Sequence, residues 1–442
     1  MSVHSKTGKT WSTKLARIGE LSATNTKVIF NNLGHIMDAD MLKEQYNKLN
    51  PKKAKGIDGM TKQTYGENLD ENIYNLIKKV RRGTYQPKPA KITEIPKEDG
   101  STRPLAISCF EDKLVQLAVS DILNNIYEPL FLPGSFGFRA GKGCHDALIA
   151  LNQATFKNWN GAVVEIDIRK YFNTIPHQEL MLILGNKIAD KRFMRLIEVL
   201  ITAPVTEQGK VRPNTIGCPQ GSILSPVLSN IYLHHVIDEW FENIKQTHLR
   251  GRADLIRYAD DMVFCFQHMN DAKRFYEVLP KRLEKFGLTR HDEKSQLIAA
   301  GHAAAQRMTK QEKRLPTFNF LGFTCYWGKS RNGYWRLKFT SRKDRFAAKL
   351  KGLRGFLQDN LNTDDTAGTL RRAASVIKGW VNYHNISDNY KRVHSFVHHS
   401  REIIFKWFNR KGGQRKMTWK MCNPILASIG LSQHGKVKPM FF

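Results

Sequence analysis

Cysteine is scarce in this chain: six residues in 442 (Cys109, Cys144, Cys218, Cys265, Cys325 and Cys422), scattered, with no pair at zinc-ligand spacing. That distribution gives no sign of a disulfide framework or a Cys-based zinc site, and it fits a reducing cytoplasm, the expected location. Long apolar runs are missing as well. No stretch approaches the length of a membrane-crossing helix, and the chain starts polar and basic (Lys6, Lys9, Lys14, Arg17) without a signal-type apolar segment. A soluble protein with no membrane partner is expected. Internal repeats are absent, which leaves no basis for a repeat array.

Acidic residues are the other shortage. Asp+Glu number 40 against Lys+Arg 70, a formal charge of +30 and a pI near 9.9. Such an excess on a folded chain points to a polyanionic partner, nucleic acid before membrane. Folding is indicated by 41% hydrophobic residues and 8 Trp, and 442 residues suffice for two or three domains with cores. The charge is uneven: residues 331–442 hold 23 Lys+Arg against 6 Asp+Glu, 17 of the 30 excess charges. That marks a separate, basic, nucleic-acid-binding region.

Against this basic background the few placed acids stand out. Tyr258-Ala259-Asp260-Asp261 sits between two β-prone runs, residues 254–257 and 262–266, and reads as a hairpin with the acids at its tip. Adjacent like charges cost free energy in a packed setting unless a cation offsets them. A second acidic strand lies far upstream, Ala162-Val163-Val164-Glu165-Ile166-Asp167-Ile168. Three carboxylates converging from two strands make the site that two-metal phosphoryl transfer requires, and magnesium is the cation that prefers such oxygens. Glu165 shares a face with Asp167 by strand alternation.

Along the chain the pattern turns helical from about Met37 to Val80, broken by Gly56-Ile57-Asp58-Gly59. A hairpin follows, Lys91 to Lys97 and Thr102 to Ile107, then helices near 111–130, 143–157 and 178–202. Gly217-Cys218-Pro219-Gln220-Gly221-Ser222 opens a long apolar helix from Ile223 to Trp240, and another helix covers 270–286. From Ser341, Phe346, Leu350, Leu353 and Leu357 fall at helical spacing, followed by Leu370, Ala374, Ile377 and Val381. Lys97 and Arg103 flank the turn of one hairpin, where both cations could clamp a triphosphate; an exposed hairpin is also often basic for solubility alone. Near the end, Arg401, Lys406, Arg410, Lys411, Arg415, Lys416 and Lys420 interleave with Phe405, Trp407, Phe408 and Trp419. That mixture suits RNA, with cations on phosphate and rings on unpaired bases; a helical bundle with a solvated basic face is the plainer reading.

Asp167 and Tyr258-Ala259-Asp260-Asp261, joined by Pro219-Gln220-Gly221 and Phe320-Leu321-Gly322-Phe323, resemble a reverse transcriptase. More narrowly the chain resembles the reverse transcriptase–maturases of bacterial group II introns. Gly56 to Gly59, Ile95-Pro96-Lys97, Thr102 to Leu105, Ser135 to Arg139, Leu224-Ser225-Pro226, Gly287-Leu288 with Glu293-Lys294-Ser295, and Gly379 to Tyr383 follow in family order, from about residue 35 to 425. Ser222 and Asn173 depart from common family residues, and no Cys-pair and His cluster follows, so the DNA endonuclease domain of many relatives is not expected.

The resemblance implies an α+β right-hand fold of fingers, palm and thumb, the palm being an antiparallel sheet backed by helices. The implied division is a basic segment over 1–35, an N-terminal extension and fingers over 36–160, and a palm over 161–330. Thumb and maturase helices over 331–400 and a basic nucleic-acid-binding segment over 401–442 complete it. It implies an RNA-directed DNA polymerase that also binds intron RNA and assists splicing. Asp167, Asp260 and Asp261, with the Ile168 carbonyl, would hold two Mg2+ ions. Lys97 and Arg103 would hold the deoxynucleoside triphosphate, with Phe172 under its sugar excluding a 2′-hydroxyl and the Gln220 amide in reach. Lys294 would stand near the leaving pyrophosphate, and Arg139 and Tyr258 would support template and primer. The implied partners are an RNA template, a DNA primer or target and deoxynucleoside triphosphates; a homodimer is left open. Rival readings are a host-domesticated relative in repair or phage defence, and an RNA-binding maturase that no longer polymerises.

Overall fold

A computed structural model describes residues 10–96, 102–158, 161–412 and 416–431. The described residues form two compact units of mixed helix and sheet, one drawn from 1–147 and 163–297 and the other from 148–162 and 298–442.

In the first unit the organising helix is Phe110–Tyr127, in which Leu114, Val115, Ala118, Val119, Ile122, Leu123 and Ile126 are all wholly buried. Asp112, Gln116 and Ser120 are buried with them and only Asn124 is exposed, so the helix packs against neighbours on most of its circumference. Strand β1 (Ala90–Pro96) pairs antiparallel with β2 (Thr102–Ile107), as the sequence pattern predicts; the tip between them, with Lys97, lies outside the described residues. Strand β3 (Ala162–Ile166) carries Val163, Val164 and Ile166 with almost no exposure. Two short strands, β4 (Val205–Glu207) and β5 (Lys210–Arg212), extend the first sheet to the order β2-β1-β4-β5, in which β1 and β4 run parallel. Strands β6 (Ala253–Tyr258), β7 (Asp261–Phe266) and β8 (Gln296–Ala299) join β3 in a second sheet of order β6-β7-β3-β8.

The helix expected over 223–240 is present but interrupted. It runs as Ser225–Leu233, passes through a π-helical turn at His234–Asp238, and continues as Glu239–Thr247. Apolar periodicity cannot show such a turn, because one extra residue leaves the composition unchanged.

In the second unit the helix His302–Lys310 precedes a sheet of β9 (Thr317–Phe320), β10 (Phe323–Lys329) and β11 (Trp335–Ser341), ordered β11-β10-β9. Leu321 and Gly322 make the two-residue turn between β9 and β10 with φ of 48° and 79°, the twist that tight hairpins favour. Four helices follow, Lys343–Asp359, Thr366–His384, Tyr390–Lys411 and Trp419–Ser428. Phe346, Leu353, Leu357, Leu370, Ala374 and Ile377, the spacing noted in the sequence, form their core with Phe396, Ile404 and Trp407. The Trp380 and Phe396 rings stack 3.8 Å apart.

Phe396 is fully buried among these rings. Phe396→Ala is expected to lower the unfolding free energy by about 3–5 kcal/mol in urea denaturation, the usual cost of a large-to-small change in a tight core. A loss under about 1 kcal/mol, the level of a surface change, would mean this bundle is loosely packed.

Candidate active site

The register of β6 with β7 pairs Tyr258 with Asp261 and leaves Ala259 and Asp260 as the turn. Ala259 takes φ of 56°, left-handed backbone that costs a residue with a Cβ on the order of 1 kcal/mol. Because β7 lies between β6 and β3, the end of β3 runs beside this hairpin, and Asp167 follows Ile166 there. Burial pushes the Asp260 carboxyl above its ordinary range, and the Asp167 charge adds to the shift while Arg103 and Arg257 oppose it. Asp167, Asp260 and the Arg103 cation therefore act on one another in one locality. Asp261 is exposed on the first residue of β7.

Asp167 is fixed through its backbone. Its N–H donates to Ser295 Oγ (3.2 Å), and its carbonyl accepts from the His291 N–H (2.8 Å). Arg169 N–H donates to the Thr289 carbonyl (2.9 Å), so Ile168 and Arg290 form a bridge whose hydrogen bonds come from the residues on either side. The Ile168 carbonyl is thus not spent on that pairing. Lys294 Nζ stands 3.9 Å from Asp167 Oδ2, largely in solvent. Glu165 accepts from Gln296 Nε2 at 2.6 Å. The donor set around Asp260 is all oxygen and carries repelling charges, which fits a hard divalent cation.

A second group of residues forms beside the acids. Half-buried Phe172 lies in the short helix Tyr171–Thr174, and its carbonyl accepts from the Cys218 N–H (2.7 Å). Gly217, at φ of 84°, must be glycine: a Cβ there would come within 2.8 Å of the Phe172 carbonyl oxygen. The other end of this loop is tied to β2, where Ala106 N–H donates to the Gln220 carbonyl at 2.6 Å. Buried Gln116 holds it from beneath, accepting from Ile223 N–H (3.1 Å) and donating to Ser108 Oγ (3.1 Å). Phe172, Gln220 and the strand carrying Arg103 are so joined by backbone hydrogen bonds. Asp58 binds Lys88 (3.0 Å) and the Met60 N–H, as a turn acid does.

Arg139 and Tyr258 are placed differently from one another. Arg139 is buried and does not face outward: it pairs with Glu128 (2.8 Å) and donates to the carbonyls of Leu132 and Ser135. Tyr258 is half-buried, its hydroxyl pushed up to about 12 by burial and by its hydrogen bond with Cys144.

The sequence reading missed Arg257, which is wholly buried and bonded to Asp238, Asn230, Ser135 and Ala259. The signal was available: an arginine within an apolar strand demands a buried acid.

In the second unit the basic residues expected to meet RNA divide. Arg401 is buried, donating to the Leu431 carbonyl and to Asn423 Oδ1 (2.7 Å), so it ties two helices together and does not present its charge to a strand. Lys411 caps the carbonyls of Leu361 and Thr363. Trp407 belongs to the core, and Phe405 stacks on Trp419 at 4.2 Å. Lys406, Arg410, Lys416 and Lys420 are exposed, and Arg415 lies outside the described residues.

Residues 95–325, just over half the chain, match the family described as reverse transcriptase (RNA-dependent DNA polymerase). The chain is 37% identical over 212 residues to a Schizosaccharomyces pombe protein named "Uncharacterized 91 kDa protein in cob intron", covering 48% of this chain and 26% of that one. It is 35% identical over 226 residues to "Group II intron-encoded protein LtrA" of Lactococcus lactis, covering 50% and 37%. "Protein YkfC" of Escherichia coli is 33% identical over 238 residues, covering 47% and 62%. The chain thus spans between 26% and 62% of the length of these relatives. The matched region starts in β1 and ends in β10, so the two strands that bring Asp167 and Asp260 together fall inside it, and the chain belongs to the reverse transcriptase family.

Proposed function

We propose that this chain is an RNA-directed DNA polymerase of group II intron type, which copies RNA into DNA and binds intron RNA to assist splicing and mobility. The observation that carries this reading is the half-buried Asp260 carboxyl beside the Asp167 charge, at the ends of adjacent strands, with Arg103 nearby. A module that only bound RNA would gain nothing from drawing like charges together.

In this reading the first unit supplies fingers and palm and the helices after residue 341 supply the thumb. Asp167, Asp260 and Asp261, with the Ile168 carbonyl, hold two magnesium ions. Those ions, when bound, activate the primer 3′-hydroxyl and neutralise charge on the triphosphate and its leaving group. Arg103, with Lys97, grips the phosphates as a charge-assisted donor. Phe172 forms a platform beneath the sugar, where a ring leaves no room for a 2′-hydroxyl. Gln220 is presented by a loop anchored at both ends and offers its amide to the nucleotide. Lys294, close to Asp167, gives a proton to the departing pyrophosphate. Tyr258 meets the primer end, and Arg139 serves template and primer through the loop it holds in place. Lys406, Arg410 and Lys416 contact phosphate in the RNA, and the exposed Trp419, stacked on Phe405, offers its ring to an unpaired base.

Primer extension on an RNA template with deoxynucleotides and magnesium tests the activity. Wild type is expected to make full-length DNA, and Asp260→Asn to lose on the order of a thousandfold in rate, since metal-held charge is worth several kcal/mol. An Asp260→Asn protein that extends normally would overturn the assignment. Phe172→Ala is expected to admit ribonucleotides, cutting discrimination by about 10–100-fold, the range a steric contact of this kind supplies. Unchanged discrimination would leave Phe172 as a packing residue. The triple change of Lys406, Arg410 and Lys416 to Ala is expected to make the log–log salt dependence of RNA binding shallower by about 2 units. An unaltered slope would place the RNA elsewhere.

A further inference from the structure

We infer that Arg257 is a positioning residue for catalysis: from beneath the hairpin it fixes the backbone of the Ala259 turn and so sets where Asp260 stands. The inference rests on the polymerase reading for its kinetic consequence and on geometry alone for the placement.

A guanidinium has five N–H donors, and all five are used. Nε and Nη2 bind the two oxygens of Asp238 at 2.8 and 2.6 Å, and Nη2 also donates to Ser135 Oγ at 2.7 Å. Nη1 donates to Asn230 Oδ1 at 3.0 Å and to the Ala259 carbonyl at 3.2 Å. The side chain has no exposed surface, and Asp238 has 2%. Burial would push the Asp238 carboxyl up, but Arg257 and His234 outweigh it and hold it below the usual range.

Stability does not account for such a pair, because apolar residues of similar volume often serve a core as well or better. What an apolar side chain cannot do is hold the Ala259 carbonyl. That residue has φ of 56°, and its carbonyl precedes the amide of Asp260, so the bond from Arg257 fixes the peptide plane on which Asp260 hangs.

The surroundings are built to allow this. Eight residues separate Asn230 from Asp238, which on a regular helix places them roughly 80° apart. The π turn at His234–Asp238 inserts one residue and reduces that to roughly 20°, bringing both side chains to one guanidinium. The loop before Arg139 closes the other side. Phe136 N–H donates to the Arg257 carbonyl and Arg257 N–H to the Gly134 carbonyl, both at 2.8 Å. Asn230 Nδ2 holds the Gly137 carbonyl at 2.7 Å, and a Cβ on Gly137 would lie 2.3 Å from the Ala259 nitrogen. Three segments of chain, the interrupted helix, the loop at Ser135 and the hairpin turn, therefore converge on one side chain three residues before Asp260.

Two variants test this. Arg257→Met with Asp238→Leu replaces the pair by apolar residues, and Arg257→Lys keeps the charge but loses the fork. Each is measured for urea unfolding, primer–template affinity, kcat and KM for deoxynucleotide, and Mn2+ affinity by electron paramagnetic resonance. The double variant is expected to unfold cooperatively at a midpoint somewhat below wild type, since three buried acceptors lose a donor, and to keep KM and primer–template affinity within about threefold. Its kcat is expected to fall on the order of a hundredfold, the usual consequence of a misplacement near 1 Å. Should the double variant not fold, Arg257→Lys decides, with kcat down about tenfold or more and Mn2+ bound correspondingly more weakly. Wild-type kcat in a folded variant, with wild-type Mn2+ affinity, overturns the inference. A wild-type protein that extends no primer, yet loses Mn2+ affinity on Arg257→Lys, sinks the polymerase reading and leaves the positioning intact.

Discussion

Asp260 and Asp167 repel each other, and the first unit holds them together without help from either side chain's own preferences. Burial disfavours the charge on Asp260 and the neighbouring carboxylate disfavours it further, while a backbone hydrogen bond, Arg103 and Arg257 act in the opposite sense. The free energy that keeps the arrangement must come from packing elsewhere. It comes from strands with no exposed side, such as β3 and β7, and from the enclosed helix 110–127 beneath. A cation meeting Asp260 and Asp167 gains from that stored repulsion, so the fold is organised for a ligand that neutralises it.

Close backbone approach is the means by which the neighbouring loops are kept in place. Gly217 lies where a side chain would strike the Phe172 carbonyl, and Gly137 where one would strike the hairpin turn. Gly221, at φ of 101°, lets the loop that presents Gln220 run against the Ala106 carbonyl. These contacts join pieces of chain that are far apart in sequence, so the group holding Phe172 and Gln220 is assembled from backbone bonds, and its side chains are carried along. Substitution at such glycines acts on the site through geometry and leaves its chemistry untouched.

Much of this was legible in the sequence. The β-prone runs on either side of Tyr258 to Asp261 marked the hairpin, the acid in an otherwise aliphatic strand marked Asp167, and the helical spacing of Phe346 to Leu357 marked the bundle. What escaped was direction. Arg139 and Arg401 have the composition of phosphate ligands, yet both turn inward to carbonyl oxygens and a carboxylate or amide. Trp407 stands among cations in sequence and among apolar residues in space. A charge reports its sign and not the side of the helix on which its neighbours lie. Arg257 escaped for a different reason: its partner Asp238 comes into line only through a π turn, which no apolar period records.

The most direct measurement is a structure of the complex with template, primer and deoxynucleotide in Mn2+, with the ions located by anomalous scattering. The account predicts one ion bound by carboxylate oxygens of both Asp167 and Asp260, at about 2.0–2.2 Å, with Arg103 on the triphosphate. Ions placed on the nucleotide with Asp260 uncoordinated would contradict it.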